Sequence, residues 1–309
     1  MQMKPTQIIT SMIAATVMVS AGGCPGVWSD SGMPLIIREK VEFPVPADGS
    51  KYPLVTPTSE EEKGVLLRCK PEPRKHKYKT QMIFFTEVVG DEGYKQIQKS
   101  SEIVRFLPAD DGTNLIRESE IKSGLTGGLR LRSLISPRGG CLKSLETKPT
   151  GFIGLTTRLF AGDQFSSFDN KTSDRFPEEA ARIGQTWTQV TQQRGKQSIQ
   201  ESGILWQLLG FAEVRRRRCA VLQGTETGIS RANAGLNLTS KIISKSKTIL
   251  YFDYERGLDI ECVRWDSREK TLVRSIPIPS EDEPNKADIL HREEGGSKDV
   301  MFWLISLVE

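Results

Sequence analysis

The chain has 309 residues, 37% hydrophobic and 27% charged, with 43 basic against 39 acidic side chains and a formal net charge of +4. That length and apolar share suffice for one large or two modest domains with true cores, and the near-balance of charge excludes a global field that would steer the chain to nucleic acid. Five cysteines without a CxxC pair, and two histidines, form no zinc or haem pattern, so neither a metal nor a cofactor is expected.

Lys4 precedes an apolar run from Ile8 to Ala21 that is broken only by Thr10, Ser11, Thr16 and Ser20. As a helix this run reaches roughly 21 Å, short of the ~30 Å hydrocarbon core, so residues 1–23 read as a signal peptide rather than a transmembrane anchor. Two cleavage sites stand open. Val19-Ser20-Ala21 fits the small-x-small rule of an ordinary signal peptidase, whereas Ala21-Gly22-Gly23-Cys24 resembles the lipobox of bacterial lipoproteins. That resemblance implies that Cys24 becomes the mature N-terminus and carries acyl chains such as palmitate. It also implies an exported protein held to a membrane by its N-terminal lipid, and Pro25 in place of Asp implies the outer membrane, facing the periplasm or the cell surface.

Residues 24–63 carry Pro25, Pro34, Pro44, Pro46, Pro53 and Pro57 among polar residues and end in Ser59-Glu-Glu-Glu62, the composition of a flexible, disordered tether. A short strand near Pro34 to Ile37 stays open. Residues 64–160 form a first β module. Val65 to Cys69, Tyr78 to Val89, Tyr94 to Leu107, Asn114 to Lys122, Leu129 to Ile135 and Phe152 to Leu159 are apolar or alternating runs, separated by turn signals at the spacing of an antiparallel meander. Residues 161–183 read as a polar loop followed by a short helix over Pro177 to Arg182, with proline and acids in its first turn.

A second β module spans 184–279. In it Glu255-Arg-Gly257 predicts a hairpin turn, after which Leu258, Ile260 and Cys262 alternate with Asp259 and Glu261 so that Cys262 faces inward. Residues 280–309 read as a polar tail with an apolar end, Val300 to Val308, which is too short to span a membrane as a helix and fits a last strand closing the sheet. The fold class is therefore mainly β: two antiparallel meander or sandwich-like modules behind a signal peptide and a tether. This order of features resembles exported β-rich lipoproteins of environmental bacteria, which implies an accessory envelope protein rather than an enzyme.

With Cys24 acylated, Cys69, Cys141, Cys219 and Cys262 remain, an even number suited to disulfides in an oxidising compartment. Four cysteines allow three pairings. Cys69 with Cys141 and Cys219 with Cys262 are expected because each pair lies within one module, and the second closure would stabilise by up to ~4 kcal/mol. The sharpest charge feature is Arg215-Arg-Arg-Arg218. Its four guanidinium forks suit phosphate or an anionic headgroup, or else a solvated turn paired with acids such as Glu213. His76 sits in a cationic run from Arg74 to Lys79, no GxSxG elbow is present, and paired carboxylates fall in turns and the tether. The expected role is noncatalytic, binding or structural, with an envelope protein or the cell wall as partner besides the membrane. A β cup that carries an apolar or lipid ligand is the alternative, and an envelope hydrolase the third.

Overall fold

The computed structural model describes residues 35–36, 51–88, 94–123, 127–150, 169–194, 198–235, 238–279 and 287–308. Cys24, the signal segment, most of the expected tether and the candidate strand from Phe152 to Leu159 lie outside these residues. Fourteen strands form one sheet: β1 (Leu35–Ile36), β2 (Leu54–Val55), β3 (Lys75–Val88), β4 (Tyr94–Pro108), β5 (Leu115–Ser123), β6 (Gly127–Ile135), β7 (Cys141–Thr150), β8 (Asp169–Thr172), β9 (Thr186–Arg194), β10 (Ser198–Val214), β11 (Arg217–Gly235), β12 (Leu238–Asp253), β13 (Leu258–Pro279) and β14 (Ala287–Val308). Twelve of them follow the order β7-β6-β5-β4-β3-β14-β13-β12-β11-β10-β9-β8, while β1 adds to β4 and β2 to β10. All pairs are antiparallel.

The mainly β class follows from strict alternation along these strands. On β3, Lys75, Lys77, Lys79 and Gln81 are exposed while His76, Tyr78, Thr80 and Met82 are buried, the period of two that a sheet with one covered face demands. The strands expected as two modules share this single sheet. β14 joins the halves, pairing with β13 from Glu261↔Ser306 to Pro279↔Ala287 and with β3 from Ser297↔Val88 to Val308↔Lys77. Much of the expected polar tail is thus strand: Ala287 to Gly296 pairs with β13, and from Ser297 on the strand lies between β13 and β3, which satisfies its backbone groups.

The ends of the strand order meet, which rolls the sheet into an open cylinder, with no β7–β8 ladder among the described residues. At this seam the amides of Arg175 and Phe176 donate to the Arg138 carbonyl, and Arg138 and Ser136 both hold the Asp174 carboxylate. A Cβ on Gly140 would lie 2.8 Å from that carboxylate and 3.0 Å from the Thr172 carbonyl, so only glycine permits the approach.

One end of the cylinder is plugged. Val65 bridges Ala181, and the Cys69 amide donates to the Pro137 carbonyl. The plug buries Val65, Leu67, Phe176 and Ala181 against Trp206, Leu208, Leu222, Leu250 and Phe252 on the inner face. Pro177 to Arg182 is accordingly not helical: the bridge to Val65 takes Ala181 into an extended pairing, and burial of Ala181 and Phe176 outweighs a weak local propensity.

The end of the expected tether is likewise packed down. α1 (Ser59–Lys63) carries a full capping box, with Thr58 accepting from the Glu61 amide and the Glu61 carboxylate accepting from the Thr58 amide.

Candidate functional site

Two polar networks line the inner face: one is built on Arg264 and Asp266, two apart on β13, and the other on Asp259, which the bulge opposite Tyr251 and Phe252 brings to the same face. In the first, Arg264 donates through Nη2 to Glu226 Oε2 at 2.7 Å and through Nε to Asp266 Oδ1 at 2.8 Å. Trp303 Nε1 donates to Asp266 Oδ2 at 3.1 Å, and Ser246 Oγ to Glu226 Oε2 at 3.1 Å. The register Glu226↔Ser246↔Asp266 across β11, β12 and β13 sets these groups in one row. Burial opposes the charge on Glu226, yet the Arg264 guanidinium and hydroxyl donors from Ser202 and Ser246 hold its carboxyl below the usual range. Beside them, burial draws the Arg268 guanidinium below its ordinary range.

In the second network Arg175, from the seam, reaches across the interior to Asp259 on β13 with two parallel bonds of 2.9 Å. Its guanidinium also lies 4.5 Å from the Phe176 ring centroid and 5.7 Å from that of Phe252. Burial works against this cation, but Asp259 outweighs it and the Arg175 pKa is raised. Close by, Arg117 donates to Glu102 at 3.0 Å. Each inner carboxylate of these networks has a guanidinium partner, so the interior carries charge in compensated pairs.

All four described cysteines are free thiols. Cys262 faces inward as expected and packs on the cluster with Leu250 and Phe252, but a bulge breaks the expected alternation: Leu258 and Ile260 pack in the other cluster with Cys219 and Tyr251, and Asp259 turns to Arg175. Cys219 packs with Val221 and Tyr251 on the other face, so the expected Cys219–Cys262 bridge would have to pass through the sheet, which disulfide geometry forbids. Cys69 and Cys141 both lie near the plugged end, Cys69 beside Arg175 with Sγ 3.9 Å from Nη2, and they too are unbonded. Burial raises the pKa of the Cys69 and Cys141 thiols and pushes Cys219 up to about 12, the opposite of what an activated nucleophile needs.

Arg215 to Arg218 do not converge. Arg215 and Arg216 form the β10–β11 turn with φ of 53° and 62°, a hairpin conformation that normally calls for Asn or Gly. Arg215 donates to the Leu307 carbonyl, Arg217 faces Asp253 at 3.4 Å, and Arg218 grips Glu61 at 2.9 and 2.7 Å. Arg216 is exposed. The turn takes Arg215 and Arg216, and alternation at the strand start sends Arg217 and Arg218 to different carboxylates, which is why a run of four reads as a cluster in sequence and is dispersed in space.

Glu61 was not legible as a structural residue, although the spacing Thr58-x-x-Glu61 signals the cap. The same carboxylate accepts from Tyr254 at 2.8 Å, and with Thr58, Gly64, Arg218 and Glu255 it lines an open pocket of about 440 Å³. A second buried carboxylate, Glu261, anchors the incoming chain on the outer face through Lys51 Nζ at 2.7 Å and Tyr52 Oη at 3.1 Å. No described residues form a cluster of three or more ligands fit for a metal ion, and no described helix is long and apolar enough to cross a membrane.

No family model and no curated protein matches the chain. Among solved structures, a loop L8 deletion mutant of OmpT, an outer membrane protein of Vibrio cholerae, is 7% identical, with 76% of this chain and 99% of that one covered at a TM-score of 0.24. OccK11 (OpdR) of Pseudomonas aeruginosa is 10% identical, covering 79% of this chain and 97% of that one at a TM-score of 0.18. Likeness at this level carries no argument.

Proposed function

We propose that the protein is a noncatalytic component of a bacterial cell envelope, exported and held to a membrane by acyl chains on Cys24, with its rolled sheet in a binding or structural role. The observation that carries this reading is the order Lys4, apolar run, Ala21-Gly22-Gly23-Cys24. Pairing of the inner charges supports a noncatalytic role, since a reacting group needs a carboxylate or cation free to change partners. The same pairs line the inside with polar groups, which disfavours an apolar guest and leaves a polar one as the cargo of the cup reading. Replacement Cys24→Ala tests the anchor. In the native host the variant should move from the membrane to the soluble fraction while keeping its β-sheet circular dichroism, and a variant that stays in the membrane pellet refutes it.

A further inference from the structure

The cationic run from Arg74 to Lys79 becomes a surface once β3 forms. Alternation puts Lys75, Lys77 and Lys79 on the outer face, all exposed, and the register Lys75↔Arg105 and Gln81↔Lys99 sets exposed Arg105 and Lys99 beside them on β4. From Lys75 to Gln81 and across their register partners from Lys99 to Arg105, the outer face carries those five cations and no acid. The nearest acids, on β5, are engaged elsewhere: Glu118 by Arg132 at 3.3 Å and Glu120 by Lys122 at 3.6 Å. Like charges directly opposite, as at Lys75 and Arg105, disfavour a sheet; Glu118 stands across from Arg105 on β5, but the register sets no acid opposite Lys75, Lys77 or Lys79, and a local rule broken in this way points to a use outside the fold.

The N-terminal segment joins the body on both sides of this strip. Leu35 and Ile36 pair with Lys95 and Tyr94 of β4. Lys51 sits on Glu261, whose register neighbours Ser306 and Lys79 continue the same outer row, so at ~4.8 Å per strand it lies roughly 10 Å from Lys79. Cys24 precedes Leu35 by 11 residues, a reach of at most ~40 Å. A lipid at Cys24 therefore lies within that reach of the side of the cylinder that bears the cations.

We infer that the outer face of β3 and β4 docks onto an anionic phospholipid surface, laying the cylinder against the membrane to which it is tethered. This deepens the anchoring proposal, and its test is independent of acylation. Purified mature chain carrying Cys24→Ser is sedimented with vesicles of phosphatidylcholine containing 30 mol% phosphatidylglycerol, and with phosphatidylcholine alone, at 0.1 M and 0.5 M salt. Binding to the anionic vesicles alone, weakened by salt, is expected, because each cation near such a surface adds about a factor of five. The triple variant Lys75→Gln, Lys77→Gln, Lys79→Gln should then bind roughly 100-fold more weakly. A control with the same charge change elsewhere, Lys143→Gln, Lys148→Gln, Lys245→Gln, should lose less than about fivefold. Equal losses in the two variants, equal binding to both vesicles, or none to either overturns the inference. An unmodified Cys24 in the native protein would instead overturn the anchor and leave this result standing.

Discussion

Replacing Glu61 by Gln should remove a pH-dependent brace that holds the N-terminal segment to the β10–β11 hairpin. The carboxylate is 3% exposed and accepts from Arg218 Nε and Nη2, Tyr254 Oη and the Thr58 amide. Burial pushes its pKa up, but the Arg218 guanidinium, the Thr58 amide and the Tyr254 hydroxyl together bring it from an ordinary 4.5 down to about 2. A depressed folded-state pKa contributes stability that is fully present above the unfolded value and is lost as pH falls through the folded one. The full shift is worth about 3.4 kcal/mol at 1.36 kcal/mol per unit. Because the site borders the open pocket beside Arg218, solvent screening reduces this to about 2 kcal/mol. Urea denaturation should therefore show Glu61→Gln less stable than the wild type by about 2 kcal/mol at pH 7, with the two curves converging between pH 4.5 and pH 2. Curves that run parallel over that range would show that the brace acts by packing and not by charge.

Gly257 closes the β12–β13 hairpin at φ 67° where a Cβ would lie 2.2 Å from the Lys70 amide nitrogen, so Gly257→Ala should cost at least about 3 kcal/mol in urea denaturation. Arg216→Gly should raise stability by up to about 1 kcal/mol, since it relieves a left-handed non-glycine residue with an exposed side chain; a loss of stability would show that the Arg216 side chain is engaged. Asp266→Asn should cost about 3 kcal/mol, because it leaves Arg264 short of a charged partner in the buried row with Trp303, and tryptophan fluorescence should shift as the indole loses its charged acceptor. Thiol titration of the unfolded protein purified without reductant should find Cys219 and Cys262 both free, whereas a Cys219–Cys262 bridge would contradict the opposed faces.

The β class was legible because alternation and turn residues are local signals, as in the Tyr251 to Cys262 hairpin, where the turn at Gly257 falls as the pattern predicts, although the bulge opposite Tyr251 and Phe252 parts Cys262 from Leu258 and Ile260. What escaped the sequence were contacts set by register. The polar stretch after Ala287 shows no apolar period, yet its backbone pairs with β13, and from Ser297 with β3 as well. Pro177 to Arg182 has a helix start, but the bridge from Val65 to Ala181 overrides it. Cys219 and Cys262 are close in sequence and in neighbouring parts of the sheet, and only the parity of their strands, displaced by the bulge between Tyr251 and Phe252, shows that they point apart. Dispersal of Arg215 to Arg218 likewise depends on Asp253 and Glu61, which no local pattern places there.

Everything proposed about location turns on one residue, and a single mass spectrum of the N-terminal peptide, taken from protein isolated out of its own envelope, reads it directly. The account predicts a mature chain that begins at Cys24 and carries two or three acyl chains. A chain that begins at Gly22 with an unmodified Cys24 thiol contradicts it.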